Sequence, residues 1–153
     1  MKPPESVETS PASLRRVYFI GIALAAALFA FHTWVIFETA LLIKLTAADA
    51  IRVVGVHVAG PLLILASFFI LFITHLLEAA VWALLFWKIR QFPTFGEGMY
   101  FAGTSLTALG YGDIVLRAPW RGLGPLMATN GLLMFGCSTA FLFFVIQHIW
   151  STF

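Results

Sequence analysis

The sequence predicts an all-α membrane protein: three apolar helices, and one shorter helix that leads into a polar, glycine-bearing strip. Three observations carry this. Hydrophobic residues make up 61% of the chain and charged residues only 10%, where a soluble domain carries about 25% charged residues. The apolar residues gather in runs long enough to cross a hydrocarbon core, which takes about 20 residues. Between the last two runs lies TSLTALGYGD, residues 104–113, whose Ser, Thr, Gly and Asp are poor bilayer-spanning material. With 153 residues and a mean hydropathy of +0.96, the chain has room for about three spans and little else.

The elements follow in order. Residues 1–16 form a polar, Pro- and Ser-rich tail of disordered composition, closing with Arg15 and Arg16. Residues 17–43 form a first span, with Glu38 and Lys44 marking its edge. A signal peptide is the competing reading, but the run is long and no Ala-x-Ala site ends it. Residues 44–61 are read as a connecting segment. In it Thr46 and Asp49 have the spacing of a capping box, with Asp in place of Glu, and Gly60-Pro61 should kink the helix that starts there.

Residues 62–87 form a second, tilted span. Trp82 and Trp87, with Lys88 and Arg90 after them, read as an interfacial aromatic belt and its basic flank. Pro93 closes that stretch, and Thr94 with Glu97 has full capping-box spacing. The helix it opens, residues 95–107, is about 20 Å long, too short to cross. Its carbonyl end carries partial negative charge and meets residues 108–112, where it favours a cation. Pro119 and Trp120 mark a return to an interface, and residues 122–150 form the last span. Glycines in that span, Gly131 and Gly136 among them, permit close helix approach or bending.

Irregular backbone at membrane depth survives only when buried in protein or lining a wet cavity. The strip 108–112 can use such a place by turning main-chain oxygens toward a cation in exchange for its water shell. Its glycines reach backbone angles that other residues avoid.

At these residues the chain resembles the potassium channels, whose filter commonly reads Thr-Thr-Val-Gly-Tyr-Gly-Asp. Gly110, Tyr111, Gly112 and Asp113 match identically, Thr107 matches the residue before the filter, and Leu109 replaces Val. Ala108 departs from the usual Thr, whose hydroxyl helps ring the innermost ion site. The resemblance covers residues 62–150 and is closest to the small bacterial-type channels with two transmembrane helices, here with an extra N-terminal hydrophobic helix. It implies an outer helix at 62–87, a pore helix at 95–107, a selectivity filter at 108–112 and an inner helix at 122–150. One chain supplies one wall, so it also implies a homotetramer in the bilayer, conducting potassium ions passively without any cofactor.

The resemblance also implies roles for single residues. The ion-binding carbonyls belong to Ala108, Leu109, Gly110, Tyr111 and Gly112. Tyr100 and Phe101 stand where the family often has a tryptophan pair, as a cuff that receives the Tyr111 ring. Thr104 stands where some members have Glu. Asp113 either hydrogen-bonds back to the pore helix or remains a solvated acid at the mouth that attracts cations. Gly131, then Gly136, takes the place of the inner-helix gating hinge. The missing hydroxyl at Ala108 predicts a weaker innermost site and leaves a poorly selective cation channel as an alternative. A non-conducting membrane scaffold or accessory subunit is the other.

Other residues fit no part of that template. Thr74, His75 and Glu78 lie within one helical turn inside the second span, and an ionisable residue there is by default a hypothesis of function. They read either as a pH-responsive His–Glu pair or as a hydrogen-bonded patch fixing this helix against its neighbour. His32, His57 and His148 stand singly, so no metal site beyond the permeant ion is expected. Thr129, Asn130, Ser138 and Thr139 line a wet cavity or make helix contacts. Cys137, the one cysteine, reads as a small buried hydrophobe.

Catalysis is not expected, because the sequence offers no nucleophile–base pair, phosphate loop or metal cluster. Nor is a nucleic-acid partner, since the net charge of +2 comes from basic residues at helix ends. No helix carries an arginine at every third position, so voltage sensing is not expected. The expected location is the cell membrane, plasma or inner, with several passes.

Orientation sets two readings against each other. The resemblance turns the filter mouth outward, and three spans then place the N-terminus outside. The inner side would hold only Lys44 and Arg52, against Lys2, Arg15, Arg16, Lys88, Arg90, Arg117 and Arg121 outside, contrary to the positive-inside rule. Laying residues 17–43 on the inner face would even the count, but their length favours a span.

Overall fold

The computed structural model describes residues 11–151. Helix α1 runs Pro11–Val54, α2 Val56–Lys88, α3 Phe95–Leu106 and α4 Leu123–Trp150, with a short 3-10 turn at Trp120–Gly122 before α4. No strand occurs among the described residues. Three of the helical stretches, Pro11–Val54, Val56–Lys88 and Trp120–Trp150, are long and apolar enough to cross a membrane. The fold is all-α, with three membrane-length helices and one short helix.

The first third of the chain is more regular than its sequence suggests. The first ten residues of the expected tail lie outside the described residues, while residues 11–16 are already helical. The expected connecting segment 44–61 does not exist as such: α1 continues to Val54, and α2 begins one residue after Gly55. Thr46 caps nothing, because its hydroxyl donates to the Leu42 carbonyl one turn back, the common fate of a mid-helix threonine. The chain turns at Gly55, which has φ 80°, a left-handed angle cheap only for glycine. The expected kink at Gly60-Pro61 is not the break. Pro61 lies inside α2 near its start, where the loss of one donor is tolerated in a packed membrane helix.

The Gly55 turn folds α1 and α2 into an antiparallel hairpin, and α4 packs along both. A Cβ at Gly21 of α1 would collide with the Leu123 side chain at the start of α4. At the other end, Gly60 of α2 lies against Ile149 near the end of α4. So α1 spans the bundle from end to end and is not laid on one face of it.

Two apolar clusters fill the interior. One, at the α3 end, includes Leu28, Trp82, Phe86, Phe101, Met127 and Met134. The other, at the Gly55 end, includes Ile43, Ala47, Leu71, Phe141, Val145 and Ile149. Trp82 is fully buried in the first and is no belt residue; Trp87, one turn on, is exposed.

Candidate functional site

Helix α3 is set by its start. Thr94 has extended backbone, and its hydroxyl accepts the Glu97 N–H at 3.2 Å, satisfying one of the donors that a helix start leaves free. Phe101 anchors the helix from inside, edge-on to Phe86 at 5.5 Å between centroids and close to Phe92 at 5.2 Å. Gly98 lies against the Ala83 backbone, where a Cβ would sit 3.0 Å from the carbonyl oxygen. α3 is thereby pinned to α2.

The strip follows directly. α3 ends at Leu106, its cap residue Thr107 donates its hydroxyl back to the Gly103 carbonyl at 2.7 Å, and Ala108 is left-handed at φ 57°, the usual way a helix stops. Gly110 and Gly112 are also at positive φ, 48° and 76°, while Leu109 and Tyr111 are not. The sign of φ thus alternates along five residues. Such backbone is neither helix nor strand, and the two glycines adopt the positive angles at little cost. The Gly110 N–H donates to the Thr104 carbonyl at 3.0 Å, tying the strip to the end of α3.

The strip's outer end is tethered as well. The Tyr100 hydroxyl donates to Asp113 Oδ2 at 2.7 Å, and Asp113 Oδ1 accepts the N–H of Ile114 at 3.0 Å. The hydrogen bond to Asp113 holds the Tyr100 phenol above its ordinary value of 10.0. Thr104 turns its hydroxyl onto the carbonyls of Tyr100 and Phe101, and makes no contact with Asp113 that would replace a Glu. Tyr100 and Phe101 therefore part ways: Phe101 is buried against α2, while Tyr100 faces the strip. The Tyr111 ring, expected to pack among aromatics, is 67% exposed within this chain, and Leu109 is 56% exposed.

Gly131 of α4 stands where a Cβ would collide with the Leu106 carbonyl at the end of α3. Its lack of a side chain is needed for close approach, and α4 runs unbroken through it. Gly136 has open space around it. Asn130 is buried, with its amide at 3.7 Å from Met134 Sδ.

Between the two apolar clusters lies a polar layer that sequence reasoning found only in part. His75 and Glu78 are joined by His32 of α1, which the sequence left standing alone, and by Ser138 of α4. Glu78 Oε1 meets His32 Nδ1 at 2.9 Å, and Glu78 Oε2 meets His75 Nδ1 at 3.0 Å. Ser138 Oγ meets His32 Nε2 at 3.0 Å and His75 Nε2 at 3.1 Å. The four residues close a ring. His32 and Glu78 are 0% exposed, and the His75 side chain keeps 14%. The two histidines and the carboxylate bring donor atoms within 4.8 Å of one another, and every one of these atoms is engaged by another member of the ring. His32 and Glu78 are equally far in sequence from Gly55, which is why a tight hairpin sets them opposite each other.

Basic residues gather at the strip end of the bundle. Arg16 and Ile20 of α1 share a hollow there with Ile89, Pro119 and Trp120, and Lys88, Arg90 and Arg117 line another beside it. The N-terminal end of α1 and the strip are therefore on the same side.

Three membrane-length helices around a short, non-crossing helix and its glycine strip define a channel-type membrane protein. The ion channel family model matches residues 62–148, more than half of the 153 residues, and the chain belongs to that family of transport proteins. Comparisons with curated proteins and with solved structures return no match.

Proposed function

We propose that this chain is the pore-forming subunit of a potassium channel, in which four copies surround an axis and residues 108–112 supply the ion-coordinating oxygens. The observation that carries the reading is the alternating sign of φ along Ala108, Leu109, Gly110, Tyr111 and Gly112, directly after the carbonyl end of α3. A row of oxygens turned one way can replace a cation's hydration shell. The exposure of Leu109 and Tyr111 leaves both side chains free to pack against further copies in this reading. In this reading α2 is the outer helix, α3 the pore helix and α4 the inner helix. The partners are the bilayer, potassium ions and three sister chains, with no cofactor and no nucleic acid.

Ala108 favours a second reading, a cation channel that discriminates poorly against sodium. Its side chain offers no hydroxyl at the inner end of the strip. Purified protein in liposomes, assayed for potassium and sodium flux in parallel, tests both. Potassium flux well above sodium supports the first reading and equal fluxes the second. No flux of either ion would leave a scaffold or accessory subunit.

A further inference from the structure

We propose that His32, His75, Glu78 and Ser138 form a buried proton-binding site that fastens α4 to the α1–α2 hairpin, so that pH acts on the pore through α4. The effect on the pore rests on the channel reading above; the proton site itself does not.

The hydrogens of the ring can be counted. The ring has four contacts, at 2.9, 3.0, 3.0 and 3.1 Å, and each needs one hydrogen between its two atoms. A carboxylate brings none, two neutral imidazoles bring one each, and a serine hydroxyl brings one. That makes three. The fourth is a bound proton, held as an imidazolium or as the protonated carboxyl with the same count. Its presence closes the ring at zero net charge, the least costly state inside a membrane. Remove it, and two acceptors face each other across one contact while the ring carries a negative charge. Add a fifth hydrogen, and the Ser138 hydroxyl hydrogen is forced out while the ring becomes positive.

Among the described residues, no further ionisable side chain is hydrogen-bonded to the ring. α1 contributes His32, α2 His75 and Glu78, and α4 Ser138, with Phe135 stacked on His75 at 4.0 Å. Glu38 of α1 is exposed and holds the Trp34 indole. Thr74 of α2 turns its hydroxyl to the Ile70 carbonyl. Cys137, beside Ser138, is half-buried. The ionisable side chains of α3, Glu97 and Tyr100, lie at its start and beside Asp113. His75 is the member that keeps exposure.

The ring also stands where it can act. Ser138 is about two helical turns along α4 from Gly131, where α4 passes the end of α3. Both hydrogen bonds that α4 makes with the ring pass through Ser138.

The test uses the full chain, wild type and two variants, in two measurements from about pH 5 to about pH 9: thermal unfolding in detergent, and potassium flux in liposomes. Glu78→Gln keeps the side-chain shape, and its amide brings the fourth hydrogen permanently, so this variant should fold and should resist pH. Wild type should lose unfolding temperature as the ring empties on the alkaline side, with the steepness of one proton, occupancy falling about tenfold per pH unit past the midpoint. Glu78→Gln should hold the full-ring unfolding temperature across that limb. Ser138→Ala should flatten the alkaline fall in unfolding temperature, because the two neutral imidazoles supply both hydrogens of the His–Glu contacts that remain, and should lose the pH dependence of flux. A wild-type unfolding temperature indifferent to pH, or a Glu78→Gln profile identical to wild type, overturns the proton site. So does about one zinc per chain surviving dialysis against EDTA. PH-dependent unfolding with pH-independent flux overturns the link to the pore. Absence of flux at every pH overturns the channel reading and with it that link, while the unfolding profile still decides the proton site.

Discussion

Tyr100 and Asp113 are joined at 2.7 Å, phenol donating to carboxylate, so that α3 holds both ends of the strip it leads into. The inner end is held by main-chain bonds from Ala108 to Ser105 and from Gly110 to Thr104. The outer end depends on this one side-chain contact, which gives it a separable role.

Tyr100→Phe removes the donor and leaves the ring. The strip should then keep its inner geometry and lose its outer anchor. The expected outcome is a several-fold fall in potassium-over-sodium preference, measured as a bi-ionic reversal potential, with little change in thermal stability. Since the Asp113 contact raises the Tyr100 phenol above 10.0, the tether is complete below that value and is lost as pH rises through the higher folded-state value. Its effect on selectivity should therefore be flat from neutral to mildly alkaline pH.

Gly131 and Gly136 should differ sharply as alanines. A methyl group at Gly131 meets the Leu106 carbonyl, a backbone atom that cannot swing aside, whereas Gly136 has room. Overpacking of this kind costs about 1–3 kcal/mol, so Gly131→Ala should lower the unfolding temperature and Gly136→Ala should not. Equal melting of the two would mean that α4 does not approach α3 closely at Gly131.

What the sequence made legible follows from the range of the forces involved. Local signals were plain: the Thr94–Glu97 cap placed the start of α3, and GYGD placed the strip. The end of α1 was not legible, because Thr46 and Asp49 mimic a cap while Gly55, the actual turn, has no flanking punctuation. Misplacing that turn hid the polar ring. His32 meets Glu78 across a hairpin and Ser138 across a third helix, and neither relationship leaves a mark at helical spacing. Gly131 showed that some close contact or bend was present without showing which.

Ala108 is at φ 57°, where a β-branched residue is a genuine outlier. Threonine there would add a hydroxyl and strain the backbone together, so Ala108→Ser is the cleaner substitution. It should raise potassium-over-sodium preference if the missing hydroxyl limits the inner ion site. An unchanged reversal potential would show that the main-chain oxygens alone set selectivity.

The side of the membrane is the last question that the geometry makes sharp. The start of α1 and the loop after the strip meet in one hollow, Arg16 and Ile20 beside Pro119 and Trp120. Arg15, Arg16, Lys88, Arg90, Arg117 and Arg121 therefore belong to one end of the bundle, and Lys44 and Arg52 to the other. By the positive-inside rule the richly basic end faces the cytoplasm; by likeness to potassium channels the strip end faces out. Both cannot hold. Single cysteines introduced at Arg15 and at Val115, in a Cys137→Ser background, should react with a membrane-impermeant maleimide from the same side in either case. The arrangement of α1 is wrong if they label from opposite sides. If both label only after the cells are opened, the strip end faces inward and the charge rule outweighs the likeness.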